Sequence, residues 1–360
     1  MGRSKGIPVG ELQQALERAV TSGAECGVQL VVYEHGKLVA DLCAGYADKA
    51  HKVPVSSHTL FPVYSVGKGI FASGFHLLKE RIGFDYNMRV SDVWPEYGCN
   101  GKEDTRIWHF LSHRAGMHEL PGVAWDDPAL ADWSGMCRKL AAAAPAWKPG
   151  GKCEYHGITF AWLMGELADR LAKRPFYDFF RENVLAPLGQ ENDFFYGLSA
   201  SLESRAAEID TREVAGQYCW MSSFIEEPAI RRGYIPSANA FANAGAIAAI
   251  YNALWRTAGN PRPLLQRETV ENAASLRRSP DDPIIPGDWA LFGLGYAMPC
   301  WESSGGDIFG HGGAAGSEGF YCRSRELAVG FTKNAITPTH PVHPLRDEIS
   351  HLLGLPVRHW

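Results

Sequence analysis

An α+β sandwich is the fold class this sequence predicts. Strand-like runs lie at both ends of the 360-residue chain, helix-like periodicity fills the middle, and 46% hydrophobic content supplies a large core. The expected architecture is one antiparallel sheet of about five strands drawn from both termini and flanked by helices. A mostly helical inserted lobe leans against it.

The first part is 1–64. Leu12, Ala15, Leu16, Ala19 and Val20 recur at helical spacing and Gly23 ends the run. Runs at 28–33 and 38–44 flank Glu34-His35-Gly36-Lys37, which reads as a hairpin. The second part, 65–255, reads as helices over 70–82, 105–112, 129–144, 160–172, 176–185 and 239–255. The third part, 256–360, opens with Pro-rich loops at 260–263 and 279–288. Strands are expected at 295–302, 308–309, 319–323 and 327–332, then a helix at 345–353 that Gly354 and Pro356 end. A cleft between sheet and helical lobe is where a site is expected.

Composition excludes several functions. A net charge of −5 gives no basic face for nucleic acid. No apolar run of about 18 residues predicts a membrane span. The N-terminus carries no apolar signal segment, and Met1-Gly2 is followed by Gly rather than Ser or Thr at position six, so a cytoplasmic protein is expected. Eight scattered cysteines without a C-x-x-C pair read as reduced thiols rather than a metal or redox cluster. H-E-x-x-H, G-x-S-x-G and P-loop motifs are absent.

Three segments can carry chemistry. Ser65-Val66-Gly67-Lys68 is an S-x-x-K match. On a helix, residue i+3 shares the face of residue i, so the amine reaches the hydroxyl. A serine hydroxyl needs a base to become a nucleophile, and lysine serves only if its pKa falls. About one such match arises by chance in a chain of this size, so the motif alone is weak. Gly67, Gly69 and Gly74 each cost about 1 kcal/mol in a helix interior, which implies that other backbone approaches closely. Glu154-Tyr155-His156-Gly157 precedes the helix near Thr159 and places a phenol as a second proton carrier, or simply as packing. Gly310-His311-Gly312-Gly313-Ala314-Ala315-Gly316 reads as a strand edge able to present an N–H to a carbonyl oxygen, or as an ordinary glycine hairpin.

Taken in chain order, these segments resemble the serine β-lactamase and penicillin-binding-protein superfamily, and within it the class C-like, family VIII esterases. Further matches are Phe110–Met117, Leu185–Gly189, Pro236-Ser237-Ala238-Asn239-Ala240, and Tyr155-His156 followed by Thr159-Phe160-Ala161-Trp162-Leu163. The resemblance implies a β-lactamase/transpeptidase-like fold. It also implies Ser65 as acylated nucleophile, Lys68 as base and Tyr155 as proton relay. Backbone N–H groups of Ser65 and Ala314 would form the oxyanion hole, with His311, Gly312, Gly313 and His156 at the substrate. No metal or organic cofactor is implied, and the partner is a small-molecule ester or amide. Two departures stand out. Gly157 replaces the amide of the family's Y-x-N, and His311 replaces the lysine of its K-T-G. Both favour a carboxylesterase over a β-lactamase, D-amino-acid peptidase or acyltransferase using the same site. A catalytically silent binding scaffold is the reading from another class. Tyr64, Trp108, Trp220 and Phe224 are candidate aromatics for an apolar acyl pocket, or for the core.

Overall fold

The computed structural model describes residues 6–211, 219–277, 291–299, 306–336 and 343–358. In chain order the strands are β1 (Gly27–Glu34), β2 (Lys37–Gly45), β3 (Phe61–Tyr64), β4 (Phe194–Tyr196), β5 (Ala240–Ala242), β6 (Leu291–Phe292), β7 (Ala297–Met298), β8 (Ile308–Gly312), β9 (Glu318–Cys322) and β10 (Leu327–Lys333). The helices are α1 (Val9–Thr21), α2 (Val66–Ile82), α3 (Ile107–Leu111), α4 (Trp133–Ala142), α5 (Phe160–Ala172), α6 (Phe176–Phe180), α7 (Cys219–Glu226), α8 (Pro228–Arg232), α9 (Ala244–Ala253), α10 (Arg267–Ala273) and α11 (Pro344–Leu352).

The main sheet runs β2-β1-β10-β9-β8-β7-β6. Every pairing along it is antiparallel. Both ends of the chain therefore meet in one sheet, with Val28 opposite Lys333. Its first five members are expected strands, and β7 falls within the strand expected at 295–302. The two-residue β6 extends the sheet further, and a strand that short gives no alternation to read. The β1–β2 turn takes positive φ at both central residues, His35 (52°) and Gly36 (80°), the primed geometry that suits the twist of a hairpin.

Each face of the sheet is covered. On one, Leu12, Leu16, Leu345 and Ile349 from the terminal helices α1 and α11 bury against Leu30, Val32, Phe320 and Val329. On the other lie α9, which contacts β1, β9 and β10, and α2, which contacts β8 and β9. All of Val66 to Leu78 is buried, so α2 is a central helix without a solvent stripe.

Three expectations need correction. A second sheet, β3-β5-β4, sits inside the middle part. Residues 240–242 were expected to open a helix. They form β5 instead, and Asn243 starts α9 by accepting a hydrogen bond from the Ala246 N–H. The 176–185 helix is α6 followed by a π-helical turn, Arg181–Leu185. The loop at 279–288, the distal part of the 295–302 strand, Cys300 and the side chains of Cys219 and Trp220 lie outside the described residues. Cys43, Cys99, Cys137 and Cys322 are free thiols. No helix among the described residues is long and apolar enough to cross a membrane.

Candidate active site

The nucleophile candidate lies at a strand-to-helix corner. Strand β3 ends at Tyr64, whose φ of 48° is left-handed. For a bulky residue that conformation costs on the order of 1–3 kcal/mol and persists only where its surroundings enforce it. Here the Tyr64 hydroxyl donates to the Met221 carbonyl at 2.9 Å, and Tyr64 pairs with Ala240. Ser65 follows at the N-cap of α2. Its side chain makes no capping bond there, so Oγ is left for other partners.

Lys68, in the first turn of α2, places Nζ 2.9 Å from Ser65 Oγ. Nζ also donates to the Ser237 carbonyl at 2.6 Å. The side chain is wholly buried, and burial holds its pKa well below the usual lysine value. The 236–240 motif thus supplies a carbonyl to the amine. Asn239 fixes that loop, donating to the Ile230 and Gly233 carbonyls and accepting from the Ile235 N–H.

Of the glycines of α2, Gly67 meets backbone closely as expected, while the close neighbours of Gly69 and Gly74 are side chains. A Cβ on Gly67 would stand 2.9 Å from the Pro236 carbonyl oxygen, and one on Gly69 would meet Tyr251 Oη and come within 3.5 Å of Gly310 backbone. At Gly74 the close neighbour is the Phe180 ring rather than backbone.

Tyr155 arrives on the loop before α5 with its phenol beside Ser65, and Lys68 Nζ lies 4.9 Å from its ring centroid. Desolvation pushes the phenol above the usual tyrosine range although 39% of the residue is exposed, and the interaction with Ser65 opposes that shift. The ring stacks on Phe292 of β6 at 5.6 Å with planes 5° apart, and His113 meets it edge-on at 4.9 Å.

His156 was expected at the substrate, but its imidazole is buried and bonded within the protein. It has no exposed surface. Nδ1–H donates to the Glu154 carbonyl at 2.6 Å and Nε2 accepts from the Met117 N–H at 3.0 Å. Its own backbone N–H donates to His113 Nδ1 at 3.2 Å. His156 and His113 therefore clamp the loop that carries Tyr155. Burial lowers the His156 pKa to about 4, and burial plus the neighbouring His156, Lys68 and His311 hold His113 well below its ordinary value.

The third component is the β8–β9 turn. A Cβ on Gly313 would fall on the Val63 carbonyl oxygen and lie 3.4 Å from Val66, so the turn passes directly beside the Ser65 corner. The Gly313 N–H donates to Ser317 at 2.7 Å and the Gly316 N–H donates back to Gly313 at 2.9 Å. Ala314 is exposed at the apex. Neither its N–H nor that of Ser65 has a backbone partner among the described residues. His311 is 5% exposed; Nδ1 donates to the Gly312 carbonyl at 2.7 Å, and Nε2 is buried without a partner. Burial first, then Lys68, lowers its pKa to about 3. It is thus a neutral imidazole behind the Tyr155 ring, 6.0 Å away, rather than an exposed grip for substrate.

This arrangement joins a hydroxyl, a buried amine of lowered pKa in hydrogen-bond reach, a phenol and a pair of N–H groups without a backbone partner among the described residues, the parts that acyl transfer requires. A family model described as beta-lactamase matches residues 12–352. The chain belongs to the beta-lactamase family. It is 32% identical over 339 residues to "Esterase/beta-lactamase LipL" of Mycobacterium tuberculosis, covering 86% of this chain and 77% of that one. Among solved structures, a family VIII carboxylesterase superposes with a TM-score of 0.84 at 28% identity, covering 98% of both chains. A penicillin-binding protein homolog from Caulobacter crescentus gives 0.78 at 28% identity, covering 93% of this chain and 94% of that one.

Sequence reasoning brought Ser65, Lys68, Tyr155 and the 311–314 segment to one place but gave no role to His113, Phe292 or Ser237. His113 and Ser237 lie inside motifs already noted, and Phe292 carries no local signal. Tyr64 and Phe224 are core residues, 2% and 1% exposed, and Trp108 packs on His109 at 4.1 Å.

Proposed function

We propose that this protein hydrolyses carboxylic esters through an acyl-enzyme on Ser65. The observation that carries the reading is the 2.9 Å contact between Ser65 Oγ and a fully buried amine whose pKa burial lowers well below the usual lysine value. Lys68 takes the hydroxyl proton as Oγ attacks the carbonyl carbon. The Ser65 and Ala314 N–H groups receive the developing oxyanion, a contribution worth about 10²–10³ in rate per donor. The C–O bond then breaks, and the leaving alkoxide takes a proton from the Lys68–Tyr155 pair. Water attacks the acyl-enzyme as the same pair accepts its proton, which frees the acid and restores Ser65.

Similarity to the Mycobacterium tuberculosis esterase/beta-lactamase and to the family VIII carboxylesterase supports ester turnover. The neutral His311 supports it further, since a fixed cation at that position would hold a carboxylate. The mycobacterial name also includes β-lactamase, which keeps that reaction as the second reading. The division into 1–64, 65–255 and 256–360 is part of the proposal, with Ser65, Lys68 and Tyr155 on the middle segment and the His311–Ala314 strand edge on the last.

The test offers p-nitrophenyl acetate and butyrate, a chromogenic cephalosporin and a D-alanyl dipeptide to the wild-type protein and to Ser65→Ala. Ester turnover lost in Ser65→Ala, with labelling of Ser65 by a fluorophosphonate, is the expected result. Faster cephalosporin than ester turnover would establish the second reading. Absence of both turnover and labelling would leave a binding scaffold.

A further inference from the structure

We propose that Trp125 and Tyr155 wall an aromatic slot floored by Gly157, which takes the flat, uncharged apolar group of the ester. This rests on the hydrolase reading above and adds a substrate class to it.

Gly157 has a φ outside the left-handed region, so the backbone does not demand glycine there. A Cβ would stand 3.6 Å from Tyr155 Cε1 and 3.7 Å from Trp125 Cη2, which is ordinary contact. A methyl group therefore fits, and any longer side chain would have to occupy the space that the two rings border. Glycine keeps that space open.

The two rings are also the exposed aromatic side chains among the described residues. Trp125 is 47% exposed and Tyr155 39%, and the other exposed large hydrophobics are aliphatic. Exposed aromatic surface gathered around one glycine, beside the phenol that contacts the nucleophile, marks a binding surface rather than scatter.

The Tyr155 wall is rigid. Phe292 backs it at 5.6 Å, nearly parallel, and His113 abuts its edge. Burial lowers the pKa of both Lys68 and His311, which disfavours a cation on either beside the Tyr155 wall. Aromatic walls suit a planar apolar group, whereas a carboxylate gains no fixed cation there.

The experiment compares Ser65 sulfonylation by phenylmethanesulfonyl fluoride and methanesulfonyl fluoride, read as mass gain on the Ser65 peptide. In each case the Oγ–S bond forms as S–F breaks, and the hydroxyl proton leaves with fluoride through Lys68. The aryl-to-methyl ratio of rate constants is the readout, so a general change in reactivity cancels. Trp125→Ala is expected to lower the ratio about threefold to tenfold, the scale of an aromatic pair. Trp125→Phe should largely keep it. Gly157→Val should lower it about tenfold or more by filling the slot, and Gly157→Ala, whose methyl fits, provides a folded intermediate case. Parallel series of p-nitrophenyl acetate against benzoate, and ethyl against phenyl acetate, assign the slot to the acyl or the alcohol side. Ratios within twofold of wild type in both Trp125→Ala and Gly157→Val, with unchanged melting, would overturn the slot while leaving the hydrolase intact. Failure of both reagents to label wild-type Ser65 would instead overturn the hydrolase reading, and the slot with it.

Discussion

Replacing Lys68 by Met separates the chemistry of this site from its architecture. Nζ is wholly buried and touches two oxygens, Ser65 Oγ at 2.9 Å and the Ser237 carbonyl at 2.6 Å. Removing a general base typically slows acylation by about 10²–10⁴, or roughly 3–5 kcal/mol of barrier. The stability effect is smaller. Met follows the lysine stem with similar volume, a kind of swap that usually costs under about 1.5 kcal/mol. The Ser237 carbonyl loses its donor, at about 1–3 kcal/mol, but a desolvated amine is also deleted, which offsets part of that. Single-turnover release of p-nitrophenolate with enzyme in excess measures the first effect, and urea denaturation the second. The expected outcome is a collapse of acylation with stability changed by no more than about 2 kcal/mol. Lys68→Arg should be equally inactive, because a guanidinium cannot serve as a base. Acylation within tenfold of wild type in either variant would refute the assignment, and recovery in Lys68→Arg alone would show that charge, not basicity, is what Lys68 supplies.

Three further outcomes are expected. In a pH profile of kcat/KM on a neutral ester, activity falls as pH drops through the lowered Lys68 pKa, because the ammonium cannot accept a proton. On the alkaline side activity persists beyond the ordinary tyrosine range, because burial raises Tyr155; an acid limb near the ordinary lysine value would contradict this. Gly313→Ala should lower kcat about 10²–10³-fold with less effect on KM, since its methyl meets the Val63 carbonyl and must displace the Ala314 N–H; a kcat within threefold of wild type would count against that oxyanion donor. Tyr64→Phe should destabilise the fold by about 1 kcal/mol through loss of the bond to Met221, and reduce kcat severalfold as the strained corner relaxes; urea curves and kinetics both unchanged would remove Tyr64 from the support of the nucleophile.

The parts of this site that could be read from sequence are those whose spacing is set by one local element. Ser65 and Lys68 share the first turn of α2, so a helix alone brings them together. The β8–β9 turn announces itself by its glycines, and Gly313 and Gly316 do occupy positions that a side chain would not fit or that require positive φ. Tyr155 was legible only as a member of a known order of motifs. Phe292, which fixes its ring, lies on a two-residue strand more than 130 positions away and leaves no periodic trace. The β3-β5-β4 sheet was missed for a related reason. Its members are three or four residues long and buried, and a short apolar run looks the same in a strand and in a core helix. His156 was misplaced because sequence gives its neighbourhood to Tyr155 but not the opposite pointing of the two side chains. Only the 111–117 loop, folded beneath, shows that the imidazole is consumed by Glu154 and Met117.

The electrostatics of the site imply how the proton travels. Lys68, His113, His156 and His311 are four nitrogen bases drawn close together, and each has its pKa lowered chiefly by burial. His113 is further lowered by three of its neighbours, so a charge on any one of them disfavours charging the rest. Burial thus favours the uncharged form of all four, the form in which Lys68 has a lone pair for Ser65. Once it takes the proton, the ammonium is an isolated cation in a dry setting, held by the Ser237 carbonyl and the Tyr155 ring face. The burial that lowers the pKa of the amine makes the ammonium a stronger acid than an exposed lysine. That favours return of the proton to the departing alkoxide, directly or through the Tyr155 phenol. One depressed pKa therefore serves both halves of acylation, and a surface lysine at the same spacing would serve neither.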